Sequence, residues 1–341
     1  MIKKILICAV FIFVKQASAA PINEVPPGQW RADFWRFSFL TDYFTTNANL
    51  SSSGIKTFNS LPAGNKLQVY ELRPKLRYNL TNRASFYVGG GVVDVSATTA
   101  SIGRTNSNVT ETFAGMDYIL AGQYSRLVGE IEGSYSTSRY SITDTNALLS
   151  DGADFVRAQL YFFRPTSFGN PFFHFGVQYR DQGYSQLGLY GVGYEKPIGQ
   201  SFLIGLGAEG EFSFISDQNT QLYRTNLTDA TMGGSHYFGA YNPSFTEGRL
   251  WAGYKPEPGW QMKLGYAQTF LGTNAAYGQS VFLTFSINFD PRADAEGFAR
   301  FRQSKSSARK KGQKDINDFE PEPQNINPDL FKDEQRFEPL E

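Results

Sequence analysis

Along most of this chain apolar and polar residues alternate with a period of two, the spacing of a β-strand whose two faces meet different surroundings. The clearest stretch is Gln68-Val69-Tyr70-Glu71-Leu72-Arg73-Pro74-Lys75-Leu76-Arg77-Tyr78. Its even positions are almost all apolar or aromatic, while Glu71, Arg73, Lys75 and Arg77 share the other face. Twelve such stretches follow one another, at residues 31–45, 67–79, 84–96, 109–124, 127–141, 153–164, 171–181, 184–195, 201–215, 244–255, 260–271 and 280–290. Almost no helical period interrupts them. A water-soluble sheet also alternates, but it turns its charges to bulk water. Twelve strands in series with charged inner faces predict an all-β chain: a closed antiparallel up-and-down transmembrane β-barrel, lipid outside and a wet, charged interior.

The connections point the same way. Links after odd-numbered stretches are mostly long and polar (46–66, 97–108, 142–152 and 216–243), and links after even-numbered ones are mostly tight, such as Leu80-Thr81-Asn82-Arg83 and Pro256-Glu257-Pro258-Gly259. Such barrels carry long loops at one end and tight turns at the other, and an even strand count returns both termini to the turn side. Outward residues can be assigned from the alternation: Leu127, Ile131 and Tyr135; Phe173, Phe175, Val177 and Tyr179; Phe202, Ile204, Leu206, Ala208 and Phe212. Trp30, Tyr78, Tyr124, Phe202, Tyr254 and Trp260 lie beside the tight turns, where an amphipathic ring suits a headgroup layer. Gly89-Gly90-Gly91 leaves the phase of the third stretch open and marks a bend or bulge there.

Composition adds the ends of the chain. The start, Met1-Ile2-Lys3-Lys4, then Ile5 to Val14, then Ala17-Ser18-Ala19, has the basic, apolar and small-residue parts of a signal peptide over 1–19. Its apolar run is too short to span a bilayer as a helix. A Pro-rich lead-in covers 20–29, the barrel 30–290, and a tail 291–341. In the tail Arg300, Arg302, Lys305, Arg309, Lys310, Lys311 and Lys314 form a basic stretch, followed by Pro-spaced acids such as Phe319-Glu320-Pro321-Glu322-Pro323. With few aliphatics it cannot bury a core and is expected to be disordered: either a solvated tail or a periplasmic tether to peptidoglycan or a partner. Cys8 is the only cysteine and lies in the leader, which leaves the mature chain without disulfide or thiolate ligand. Formal net charge is zero, so no global field points to nucleic acid.

The inner faces carry the candidate chemistry. Besides Glu71, Arg73, Lys75 and Arg77, the alternation turns Glu130, Glu132, Arg157, His174, Glu209, Glu211, Glu247, Arg249 and Lys263 into the lumen. Twelve strands about 4.8 Å apart and tilted about 40° enclose a backbone diameter of roughly 24 Å. Short inward side chains leave a pore of roughly 10 Å across, whereas paired Arg and Glu nearly close it. Gly191, Gly193, Gly205 and Gly207 also face inward and are expected to leave room. Two readings stay open: a narrow channel for passive diffusion of small polar or charged solutes, with a field across its constriction, and a non-conducting barrel whose lumen is plugged by ion pairs and which serves structure or surface contact.

Catalysis finds no support in the motifs. His174 lies in Phe172-Phe173-His174-Phe175-Gly176 without the serine and asparagine that a lipase-type site requires, so a lumenal histidine hydrogen-bonded to a neighbour is expected. His236, in Gly233-Gly234-Ser235-His236-Tyr237, has no aspartate two residues before it, and a surface hydrolase is left as the weakest reading. Two histidines and no mature cysteine leave no transition-metal set, and no cofactor or metal is expected. The glycines of Gly191-Val192-Gly193-Tyr194 are strand alternation with no helix after them, not a nucleotide loop.

Taken together, the leader, the alternating strands and the closing strand Val281-Phe282-Leu283-Thr284-Phe285-Ser286-Ile287-Asn288-Phe289 resemble a Gram-negative outer-membrane β-barrel protein of the porin-like superfamily. The resemblance covers roughly residues 30 to 290 and is specific for fold and compartment. It implies an outer-membrane location with periplasmic termini and extracellular long loops, and contact with outer-membrane lipid and lipopolysaccharide. A closing strand that ends in an aromatic is similar to the signal read by the barrel-insertion machinery. Here the chain departs from that pattern, because it continues past Phe289 to residue 341.

Overall fold

Period-two alternation becomes strand structure wherever the two faces of the chain meet different media, and the strands observed follow it. The computed structural model describes residues 34–51, 58–99, 102–122, 125–139, 146–257 and 260–289, all within one unit, Met1–Pro291. The leader, the Pro-rich lead-in, the tail with its basic residues Arg300 to Lys314, and Trp30 and Tyr124 lie outside the described residues.

In chain order the elements begin with β1 (Trp35–Leu50), a short β2 (Phe58–Ser60), β3 (Lys66–Asn79), β4 (Ala84–Thr98) and β5 (Gly103–Ala121). Next come β6 (Arg126–Ser136), β7 (Phe155–Phe163), β8 (Asn170–Arg180), β9 (Gln186–Ile198) and β10 (Phe202–Ile215). The helix α1 (Gln221–Met232) follows, then β11 (Ser244–Glu257), β12 (Trp260–Thr273) and β13 (Ala276–Phe289). Each barrel strand pairs antiparallel with its neighbour in sequence, β2 is an annex on β1, and β13 pairs with β1 from Trp35↔Phe289 to Asn49↔Ala276. The result is the expected closed barrel of twelve strands, with no edge left unpaired.

Two local expectations change, and a third, the irregularity at the glycine run, holds. β5 begins at Gly103 rather than 109, because Gly103 to Asn108 pair with Val93 to Thr98. Both faces of 104–108 are polar, which removes the contrast that an alternation signal needs. The Gly89-Gly90-Gly91 run does carry the expected irregularity: the β4–β5 register shifts between Gly91 and Val92, with Thr110 as the extra residue on β5. The long 216–243 link contains α1, whose N-cap Thr220 accepts from the Tyr223 amide and whose C-cap Gly233 sits at φ 63°, a conformation glycine adopts cheaply.

Outside, the assigned apolar residues are exposed on the wall: Ile131, Tyr135, Val156, Phe175, Tyr179, Ile204, Leu206 and Val281 among them. At the turn end a chain of ring contacts runs Phe202–Tyr254–Trp260–Phe285, with centroids 4.9, 5.6 and 6.1 Å apart. Trp35 continues it against Tyr78 and Phe289. Inside lie the buried residues, apolar near the loop end of β1, β3 and β4 and ionised lower down.

Candidate functional site in the barrel lumen

Every lumenal residue assigned from the alternation is inside the barrel, and all but Lys75 and Glu247 are buried. Charges of opposite sign touch directly. On the β3–β7 side, Arg73 spans two strands to reach Glu111 (3.0 Å) and Glu132 (3.2 Å), and Arg157 donates to the same Glu132 oxygen at 2.5 Å. Small inward residues of β4 and β5 make that reach feasible, since Gly89, Gly91 and Gly115 raise no side chain between β3 and β6. The Tyr87 hydroxyl donates toward Glu130 (2.6 Å) and Glu132 (2.9 Å), Ser134 donates to Glu111 (2.6 Å), and Arg77 pairs with Asp117 at 2.9 Å. Lys75 lies 4.5 Å above the Tyr87 ring, a cation–π contact.

A second cluster occupies the β9–β12 side. Arg249 bridges Glu209 and Glu247, and Lys263 pairs with Glu195, which also accepts from the Trp251 indole at 3.0 Å. His174 stacks on Tyr161 with centroids 5.5 Å apart, and its Nε2 is 4.0 Å from Glu209. Neither of its ring nitrogens has a hydrogen-bond partner among the described residues, contrary to the expected bonded histidine. In this second cluster Glu209 pairs with Arg249.

Three of the four inward glycines expected to leave room do not open the lumen. Gly191 pairs across the ladder with His174, Gly193 with Phe172 and Gly205 with Trp251, and a methyl group on any of the three would collide with that ring. Gly115 under Tyr87 and Gly265 under Phe282 repeat the arrangement. Each glycine is a slot that receives an aromatic side chain from the next strand, so the space is taken.

At the loop end the lumen is covered from above. Leu227 and Met232 of α1, Phe238 after it, and Ala147, Leu148 and Leu149 of the 146–152 segment pack on inward Phe44, Leu67, Val69, Val93, Val95 and Ala97. Polar contacts pin this insertion. Asn49 donates to the Gly234 carbonyl (2.6 Å) and accepts from the His236 amide (2.8 Å), and the Tyr237 hydroxyl reaches Glu71 at 3.1 Å. Arg224 bonds Asp217 at 3.1 Å and lies 3.7 Å over the Tyr184 ring. Burial pushes the Tyr184 phenol up to about 12, against the pull of Arg224, and burial lowers His236 against the opposing charge of Asp229.

Sequence reasoning missed Glu111, Asp117, Glu195 and Tyr87, although all four obey the inward phase of their strands. It missed the insertion for a different reason. The buried stripe of α1, Arg224, Leu227, Thr228, Thr231 and Met232, has helical spacing but only two apolar members. Among the described residues no group of His, Cys, Asp or Glu has the arrangement of a metal site.

No protein-family model and no curated protein matches the chain. Among solved structures it is similar to an outer membrane channel from Pseudomonas putida F1, at 14% identity and a TM-score of 0.57, over 78% of this chain and 100% of that one. It is more distantly similar to the translocator domain of the autotransporter NalP from Neisseria meningitidis, at 13% identity and a TM-score of 0.46, over 75% and 88% of the two chains. A KdgM porin gives 8% identity and a TM-score of 0.41 over 73% and 99%. At these identities the likeness reaches the fold alone.

Proposed function

We propose that this chain is an outer-membrane barrel that passes small polar or charged solutes by passive diffusion. The loop end faces the exterior, the termini face the periplasm, and the lumenal clusters form the constriction. The observation that carries the reading is the distribution of side chains: apolar residues cover most of the outer wall, while charges of both signs line the enclosed interior. A barrel wall in lipid favours the first, and a hydrated solute path favours the second. The insertion is the element that must move. A fully buried Leu or Phe contributes roughly 1.5–3 kcal/mol, but ordering a loop costs roughly 1–2 kcal/mol per residue. Its docking is therefore marginal, and brief undocking admits solute. Purified, folded protein in planar bilayers tests this: discrete unitary currents are expected, and a silent bilayer containing correctly folded barrel refutes it.

The apolar packing of α1 and 146–152 in the mouth favours a second reading, a barrel that stays closed and presents its loop end as a contact surface, with the tail of residues 291–341 as a periplasmic tether. Removing that tail then weakens co-sedimentation with peptidoglycan. Unchanged sedimentation refutes the tether.

A further inference from the structure

Beneath the docked insertion lies a cavity of about 70 Å³, between the 236–243 segment and the inner walls of β1 and β10–β13. One water needs roughly 10–15 Å³, so the cavity holds a solute of a few heavy atoms. Four carboxylates face it: Asp42, Asp151, Glu211 and Glu247. Two are already engaged, Asp151 by Arg180 (2.8 Å) and the Gly239 amide (2.7 Å), and Glu247 by Arg249. Glu211 is not. It is 4% exposed, and no hydrogen bond or ion pair joins it to a described residue, although the charge of Arg180, itself paired with Asp151, acts on it. The Asp42 Oδ1 atom is buried without a hydrogen-bond partner, while Arg249 and Ser280 act on that carboxylate. A carboxylate enclosed in this way is costly while ionised, and is relieved either by a proton or by a positive charge joining it, the second prevailing at alkaline pH. Arg249, the one cation on the cavity wall, is committed to Glu209 and Glu247.

We infer that this cavity binds a small organic cation, an alkylammonium, with Glu211 and Asp42 as its counterions. A bare metal ion fits less well, because the acids are spread around the wall and no described group has metal-site geometry. The rest of the wall explains the alkyl part: Leu40 and Phe238 line the same space and offer an apolar face beside the carboxylates. The site deepens the channel proposal by naming the class of solute held at the constriction, and rests on that proposal only for the solute's route in.

The test is calorimetric titration of full-length protein, folded in detergent at pH 8, with ethylammonium chloride, and with sodium chloride and sodium propionate as controls. Saturable binding of ethylammonium alone is expected. Glu211→Gln should weaken it about tenfold or more, the worth of one buried charge-assisted hydrogen bond. Asp42→Asn is read in the same way should the first variant fail to fold. Absent saturable heat, or an affinity unchanged by either substitution, overturns the site. Saturable binding beside a silent bilayer sinks the channel and leaves the site standing; a conducting barrel that ignores ethylammonium does the reverse.

Discussion

Glu132 is the most heavily used acid in the barrel, and replacing it by glutamine measures how wet the lumen is. Its carboxylate is 1% exposed and receives Arg157 at 2.5 Å, Arg73 at 3.2 Å and the Tyr87 hydroxyl at 2.9 Å. Glutamine keeps the volume and one acceptor oxygen but removes the charge, so Arg157, 3% exposed, loses its ion-pair partner among the described residues. At an effective dielectric near 20, two unit charges about 4 Å apart attract by about 4 kcal/mol, and stranding one member of a buried pair costs about 3–5 kcal/mol. The expected loss for Glu132→Gln is thus about 3 kcal/mol, at the lower end because Arg73 retains Glu111.

The assay is equilibrium urea unfolding of the barrel in lipid vesicles, read by the gel mobility of unheated samples. Two controls fix the interpretation. Asp154→Asn removes an exposed partner of Arg139, whose side chains are 55% and 30% exposed, and should cost no more than about 1 kcal/mol. Removing both charges, in Glu132→Gln with Arg157→Gln, should recover most of the loss, because no uncompensated cation remains. A Glu132→Gln cost below about 0.5 kcal/mol would refute the argument, since bulk-like water would then screen the pair as it screens a surface one.

Three further outcomes follow from the same geometry. Leu227→Ala, at a side chain with no exposure, should take about 2–5 kcal/mol from the docking of the insertion; protease should then cut the 216–243 loop faster while the barrel melts as before. Ile131→Arg puts a charge on the outer wall, beside the tolerated inward Glu132, and should cost up to about 2–4 kcal/mol if that position is near the bilayer midplane; an unchanged unfolding midpoint would show the wall facing water. His236 is held neutral by burial, with its folded value lowered, so its contribution to docking is full above about pH 6.5 and is lost as pH falls through the lowered value. Loop cleavage should therefore accelerate at pH 5, and His236→Gln should remove that histidine-dependent step, a comparison that cancels the acids of the cavity.

Strand number, order and facing were legible because lipid on one side and charge on the other force every second residue to the same choice. β3 illustrates it: Leu72, Pro74 and Leu76 face out and Glu71, Arg73 and Arg77 face in, as the alternation alone requires. The strand ends were less legible where that contrast fades, as at Gly103 to Asn108. The inserted segment was illegible by the same logic, since α1 buries Arg224, Thr228 and Thr231 beside Leu227 and Met232, and a polar stripe gives no apolar period. A helix that packs inside a barrel mouth needs only one apolar corner, because hydrogen bonds from Asn49 and Asn65 do part of the holding.

The width of the lumen depends on a quantity that alternation does not carry, the register between strands. An inward glycine reads as space as long as its cross-strand neighbour is unknown. Once Gly191 is set opposite His174, and Gly205 opposite Trp251, the same glycine reads as a socket for a ring. A shift of two residues would keep every side chain on its face but change which ring, if any, each glycine receives: His174 would meet Gly193 in one direction and Leu189 in the other. Whether this barrel conducts is therefore decided by pairing offset and by the docking of one loop, and much less by the inventory of charges, which is common to the open and the plugged forms. That is why the Leu227 and His236 substitutions bear on conduction more directly than any change of lumenal charge: they move the insertion, one of the two features on which the forms differ.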